Sequence, residues 1–181
     1  MQGLALWQQQ APTVESLDAR DSAAVLPELQ NLLQHRTTPL IFRGLCRNWP
    51  LVQAGLVSDA AAGEYLLQFD QGEPVSVCQL APETQGRVFY NADFTGFNYL
   101  AGKMPFPQLL QQLQQSAAQQ TAGAATSIWY MGSTEIQRWF TGLAEHNSLT
   151  HLLNQPLTSV WLGNQARIPA HFDFPHNLAC N

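Results

Sequence analysis

The stretch Ala170-His171-Phe172-Asp173 holds the residue types and spacing in this 181-residue chain that best suit chemistry. On an extended strand, side chains two apart share a face, about 6.5–7 Å from each other along the chain. His171 and Asp173 then project together, and Phe172 turns the other way. An imidazole nitrogen and a carboxylate oxygen placed so can converge on one divalent ion. They make up two of the three ligands of a 2-His-1-carboxylate facial triad, which leaves coordination positions on Fe(II) open for a co-substrate and oxygen. Taken alone, H-x-D is a weak signal. A surface polar pair, or a histidine held by hydrogen bonds, is the commoner outcome of such a tripeptide.

Other polar residues carry less. His176 follows Asp173 by three residues, so H-x-D-x-x-H could wrap an ion, but Pro175 turns the chain there and an exposed or hydrogen-bonded histidine is the simpler reading. His35, His146 and His151 fall in helical or loop segments and read as ordinary surface or capping histidines. Glu83 and Asp93 read as loop and turn residues, and Arg43 and Arg47 as structural partners of carboxylates. Ser133 precedes no base and matches no nucleophile elbow, so hydrolase chemistry there is rejected. Trp49, Trp129 and Trp161 sit in apolar strands or beside proline and read as core or near-core residues.

The elements that must position His171 and Asp173 can be read from periodicity. Residues 1–20 form a loosely structured arm with few apolar anchors. Val25, Leu29, Leu32 and Leu33 recur at helical spacing, which predicts a helix over 26–35 with Pro27 near its start. PLIFRGL, closed by Gly44, reads as a buried strand. Ser58 and Asp59 can cap a helix over 59–69 that carries Ala62, Tyr65, Leu66 and Phe69 on one face. Residues 74–80 suit a strand, and the aromatic, turn-rich 87–99 suggests two short strands around Asn91–Asp93. A helix is expected over 107–119, its Gln-rich face in solvent. A strand over 126–132 follows, then short helices over 134–141 and 147–154, and a strong strand over 157–164. Helices and strands mix without regular alternation, so the fold class is α+β.

Composition limits the functional classes. Hydrophobic residues make up 45% of the chain and charged residues 12%, which suits a globular domain. A net charge of -5 supplies no basic footprint, so nucleic acid and anionic membrane are not expected partners. No apolar run approaches the roughly 20 residues of a membrane span, and the first residues lack the pattern of a secretory signal. Cys46, Cys78 and Cys180 are too far apart for a zinc ribbon or a redox pair, and read as reduced thiols in a cytoplasm.

The string SVWLGNQARIPAHFDFPHNLAC resembles the first metal-ligand segment of JmjC-like, cupin-fold Fe(II)/2-oxoglutarate oxygenases. That family includes bacterial cupin-like proteins and the asparaginyl hydroxylase of hypoxia-inducible factor. The shared pattern is a strand with W-[IL]-G, a turn, a-H-[FY]-D, then an Asn four residues on. Here it is Trp161-Leu162-Gly163, Ala170-His171-Phe172-Asp173 and Asn177. Upstream, PLIFRGLCRNWP, FYNADFTGFNY and WYMGST resemble bacterial members, so the likeness runs over roughly residues 38–181.

The resemblance implies a single cupin-like domain over 1–181, with 1–37 as N-terminal arm and helix and 38–181 as a partial double-stranded β-helix (jelly roll). It implies His171 and Asp173 as iron ligands, and Asn177 and Tyr130 as contacts of 2-oxoglutarate. Ile168 stands where the asparaginyl hydroxylase has a threonine that hydrogen-bonds 2-oxoglutarate, and an aliphatic side chain cannot make that bond. The family's second histidine ligand and its 2-oxoglutarate-pairing basic residue come later than Asn181, so the site is expected to be incomplete in this chain. The implied activity is oxidation of a protein side chain or a small molecule, with Fe(II) and 2-oxoglutarate as cofactors. The alternatives are a noncatalytic binding or regulatory module on the same fold, and a metal-dependent cupin isomerase or hydrolase. Open strand edges in a half-built barrel predict a homo-oligomer.

Overall fold

The computed structural model describes residues 13–149, 156–171 and 177–180. The chain divides into two compact units, residues 1–48 and 49–181.

In the first unit, β1 (Glu15–Asp18) and β2 (Leu40–Arg43) run parallel, in register from Glu15–Leu40 to Asp18–Arg43. Parallel strands need a crossover, and α1 (Ser22–His35) supplies it. Leu29 is its fully buried anchor. The helix begins before the expected residue 26 and runs through Pro27. The arm expected over 1–20 therefore contains a strand. ESLD has little strand propensity of its own, and the ladder to β2 creates it. β2 is less buried than expected: its residues alternate half-buried and exposed, with Ile41 41% exposed, because this two-stranded pair leaves one face open. Arg36 pairs with Glu15 at 2.6 Å. Arg20 hydrogen-bonds Asp18 and holds its carboxyl down at about 2.

The second unit opens with α2 (Pro50–Val57) and α3 (Asp59–Leu67). Pro50 at the first helical position starts α2. Periodicity does not predict this helix because it buries no residue: Leu56 and Val57 are 75% and 78% exposed. Ser58 caps α3 as expected, its hydroxyl accepting from the Ala61 N–H at 3.0 Å.

Four antiparallel strands follow in the spatial order β4-β3-β5-β6. They are β3 (Val75–Leu80), β4 (Tyr99–Met104), β5 (Ile128–Glu135) and β6 (Ser159–Gly163). Helix α4 (Phe106–Thr121) joins β4 to β5, and the one-turn α5 (Ile136–Trp139) follows β5.

The two strands expected within 87–99 shrink to a single antiparallel bridge between Tyr90 and Phe97, with backbone bonds from the Asn91 N–H to the Gly96 carbonyl and from the Asn98 N–H to the Phe89 carbonyl, both 2.9 Å. Side chains satisfy more of the backbone there. Asn98 accepts from the Phe89 N–H at 2.9 Å and donates to the Arg87 carbonyl at 2.7 Å. Asn91 accepts from the Gly96 N–H at 3.2 Å, and Asp93 from the Thr95 N–H at 3.2 Å. β5 does not stop at Gly132 but continues past a register shift between Met131 and Thr134, where Ser133 takes a φ of 39°. The helix expected over 147–154 falls largely on residues outside those described.

The core lies between one face of this sheet and the helices. Val75, Val77 and Met131 from the strands meet Phe106, Leu109 and Leu110 of α4, with Phe140 and Leu143 closing it. Phe106 and Phe140 meet edge to face at 4.8 Å, a favoured aromatic geometry. Buried Asn147 accepts from the Leu51 N–H at 2.9 Å and donates to the Tyr65 hydroxyl at 2.9 Å and the Leu143 carbonyl at 3.0 Å. That one side chain ties together α2, α3 and the turn after α5.

Candidate functional site

Strand alternation decides what the other face of the sheet carries. Val75, Val77 and Met131 point into the core, so Ser76, Cys78 and Tyr130 point away from it. Cys78 pairs with Ala101 on one side and Tyr130 on the other, and Tyr130 pairs with Gly163. One step along, Ser76 lies opposite Lys103. Ser76, Cys78, Ala101, Lys103 and Tyr130 line an open groove of about 480 Å³.

Two glycines make room for Tyr130. A Cβ on Gly132 would stand 3.0 Å from its Cε1 and 3.5 Å from its hydroxyl. A Cβ on Gly163 would stand 3.2 Å from its Cδ2 and 2.8 Å from the Trp129 carbonyl oxygen. The ring therefore lies along the sheet, and its hydroxyl is carried over Gly132. Burial pushes the Tyr130 and Tyr99 hydroxyls up from their ordinary values, and the neighbouring Cys78 adds to both shifts. Burial also pushes the Cys78 thiol up, against a hydrogen bond from Tyr99. All three stay neutral near pH 7, and Lys103 is the charged residue lining the groove.

Beyond Tyr130 this face is covered. Leu80 is fully buried, Ile128 nearly so, and Gly86 sits against Ile128. Gly86 has a φ of 78°, and a Cβ there would fall 2.2 Å from the Gln165 carbonyl oxygen. The Arg167 N–H donates to the Gly86 carbonyl at 2.7 Å, and the Val88 N–H to the Arg167 carbonyl at 3.1 Å. Asn164 holds the preceding turn, accepting from the Trp129 N–H at 2.7 Å and donating to the Ser127 carbonyl at 3.4 Å. Together these contacts steer the chain from β6 toward His171.

His171 is exposed, and its Nδ1 lies 2.9 Å from the Pro169 carbonyl oxygen. A carbonyl only accepts, so Nδ1 carries the proton in that contact, which orients the ring. Asp173 lies outside the described residues. Among those that are described, no group of three His, Cys, Asp or Glu side chains could hold an ion. The described part of the chain thus offers one fitting ligand, not a metal centre. Asn177 is exposed. Of the residues singled out from sequence, Tyr130 lines the groove, whereas His171 and Asn177 do not. Ile168 is also exposed.

Several contributors escape a reading of sequence alone. Ser76 and Lys103 share the groove only because β3 and β4 pair, and the β4 ladder is not visible in YLAGKM. Lys103 is nonetheless the chain's single lysine, a signal that was there to be read. Gly86 meets a carbonyl far along the chain, and no local pattern records that approach. Trp161, expected near the core, is 54% exposed, because Val160 and Leu162 take the core side of β6.

Among the described residues no helix is long and apolar enough to cross a membrane. No curated protein matches the chain. A family model described as a cupin-like domain matches residues 27–181. That match spans most of the sequence and agrees with the α+β architecture and its antiparallel sheet, and the chain belongs to the cupin-like domain family.

Proposed function

We propose that this protein is an Fe(II)- and 2-oxoglutarate-dependent oxygenase of the JmjC-like type, built on a double-stranded β-helix, that hydroxylates a protein side chain or a small molecule. The observation that carries the reading is the contact of His171 Nδ1 with the Pro169 carbonyl oxygen at 2.9 Å, the kind of hydrogen bond that orients metal-ligating histidines, at a residue two positions before Asp173 in the sequence. The cupin-like family match supports the same assignment. Bound iron and 2-oxoglutarate would supply the oxidising chemistry, and the chain positions the reactants. His171 and Asp173 bind the metal, and Asn177 and Tyr130 orient the co-substrate. Tyr130 stays protonated because burial raises its hydroxyl, so it donates a hydrogen bond. A reducing cytoplasm suits three cysteines so widely spaced in the sequence.

Anaerobic addition of Fe(II) and then 2-oxoglutarate tests the proposal. A metal-to-ligand charge-transfer band is expected from a form of the protein that also carries the family's second histidine ligand, and it should vanish there in His171→Ala and Asp173→Ala. The exposure of His171 and the aliphatic Ile168 favour a second reading, a noncatalytic binding module on the same fold. Absence of the band in that form, with both additions in excess, selects the second reading.

A further inference from the structure

We infer that two copies of this chain join through β4, strand against strand about a two-fold axis at Ala101, so that their sheets run into one. Among the described residues β4 has a neighbour, β3, on one side only. Its other side presents backbone N–H and C=O groups open to a further strand. Directly opposed residues in an antiparallel pair share a face, and side chains alternate along each strand. Tyr99, Ala101 and Lys103 lie on the groove face, opposite Leu80, Cys78 and Ser76, so Leu100 and Gly102 lie on the other. With Ala101 opposite the partner's Ala101, Leu100 falls opposite the partner's Gly102, and Tyr99 opposite the partner's Lys103. A large side chain thus meets a bare α-carbon, and an aromatic ring meets a cation that its face attracts. Leu100 is 73% exposed, and a Cβ on Gly102 would meet nothing within 4 Å, so both halves of that fit are open in the single chain.

The surface continues past the strand. Phe97 stacks on Tyr99 at 5.0 Å and Tyr90 on Phe97 at 5.4 Å, and Phe94 meets Tyr90 at 6.0 Å. Tyr90, Phe94 and Phe97 are each at least half exposed. The same register runs Phe97 alongside the partner's Pro105. These three rings and Leu100 offer roughly 400 Å² of apolar surface. That is about half of the ~800 Å² per partner in a stable interface, and the six-residue edge adds its backbone. Lys103 is the only charged residue from 94 to 105. A lysine on an edge strand commonly discourages pairing. Here it stands opposite a tyrosine and not opposite its own copy, so the register sets no like charges together. A second copy is favoured over a foreign strand because the run Tyr99–Lys103 complements itself. Neither iron nor the oxygenase reading enters.

Light scattering after size exclusion, over a dilution series, gives the dimer dissociation constant. Wild type should form a dimer. Leu100→Asp puts a carboxylate into the apolar contact and should raise that constant about tenfold or more. Leu100 is exposed, so circular dichroism of the variant should match wild type. The register has a readout of its own. Leu100→Cys and Gly102→Cys chains, mixed and then oxidised, should give a cross-linked dimer. Neither variant alone should exceed the wild-type background of the three native cysteines. Residue 100 is about 7–8 Å from the partner's residue 100 in this register, too far for a disulfide without backbone movement. A wild-type monomer would overturn the proposal and leave this edge to a strand of another protein. So would a Leu100→Asp dimer of undiminished affinity, which would move the contact to β6 or elsewhere. Cross-linking of the mixture no greater than of either variant alone would overturn it too.

Discussion

Tyr130 rests against the bare α-carbon of Gly132, so close that a methyl group there would stand 3.0 Å from the ring. Gly163 borders the same ring, but its missing Cβ would also press on the backbone of Trp129 at 2.8 Å. The two glycines therefore answer differently to the same substitution. Gly132→Ala meets only a ring that can swing away, so it should leave stability nearly unchanged and move the Tyr130 hydroxyl. Gly163→Ala meets a carbonyl that cannot yield, and should cost about 1–3 kcal/mol. Urea unfolding of the two variants checks the contrast, and equal midpoints would contradict it.

Gly86 should be the least replaceable glycine in the second unit. Its φ of 78° is in the left-handed region, and a Cβ would sit 2.2 Å from the Gln165 carbonyl oxygen. Gly86→Ala should destabilise by about 1–3 kcal/mol from strain alone. It should also break the bonds between Gly86, Val88 and Arg167. Hydrogen exchange at the Arg167 and Val88 amides should then rise well above exchange at β3. Unaltered protection at both amides would show that the segment leading to His171 is held by something else.

Core and surface apolar residues should separate cleanly. Phe140→Ala removes a fully buried ring from its contact with Phe106 and should cost about 3–5 kcal/mol. Leu56→Ala, at a residue 75% exposed, should stay within about 0.5 kcal/mol of wild type. Asn147→Ala strands the Leu51 N–H and the Leu143 carbonyl and should cost about 1–3 kcal/mol. Denaturant midpoints order the three variants.

Alkaline pH should weaken the sheet. The folded state raises Cys78, whose ordinary value is 9.0, and also Tyr99 and Tyr130, whose ordinary value is 10.0. A raised group binds its proton more tightly when folded, so its contribution is intact below the ordinary value and is lost as pH rises through the folded one. Melting temperature should hold up to about pH 9 and fall above it, and less steeply in Cys78→Ala. Alkylation of Cys78 should still be accelerating at pH values where an ordinary thiol has reached its plateau. A Cys78 rate that levels off below its ordinary value would refute the assignment.

The sheet leaves two edges exposed among the described residues, β4 and β6, with Leu100 73% and Trp161 54% exposed. Self-association through such edges is expected. Light scattering after size exclusion should show a dimer or larger species, and a well-behaved dilute monomer would contradict it.

Local sequence fixed those elements whose signal lies within a few residues. The Ser58 cap, the period of α1 and α4, and the short apolar runs of β3, β5 and β6 all belong to this group, because caps and side-chain periodicity act over one or two turns or strand steps. His171 and Asp173 stood out in the sequence as a weak H-x-D signal strengthened by the resemblance of the residues around it, and Asp173 lies outside the described residues. Tertiary structure decided the rest. β1 exists because β2 hydrogen-bonds to it, and residues 87–98 keep one antiparallel bridge, supplemented by asparagine side chains, where two strands were expected. The groove brings Ser76, Lys103 and Tyr130 together through strand pairing, and Gly86 fits Gln165 across the fold. Such contacts join residues distant in the chain, and register and close approach are set by packing, which no local run of residues records.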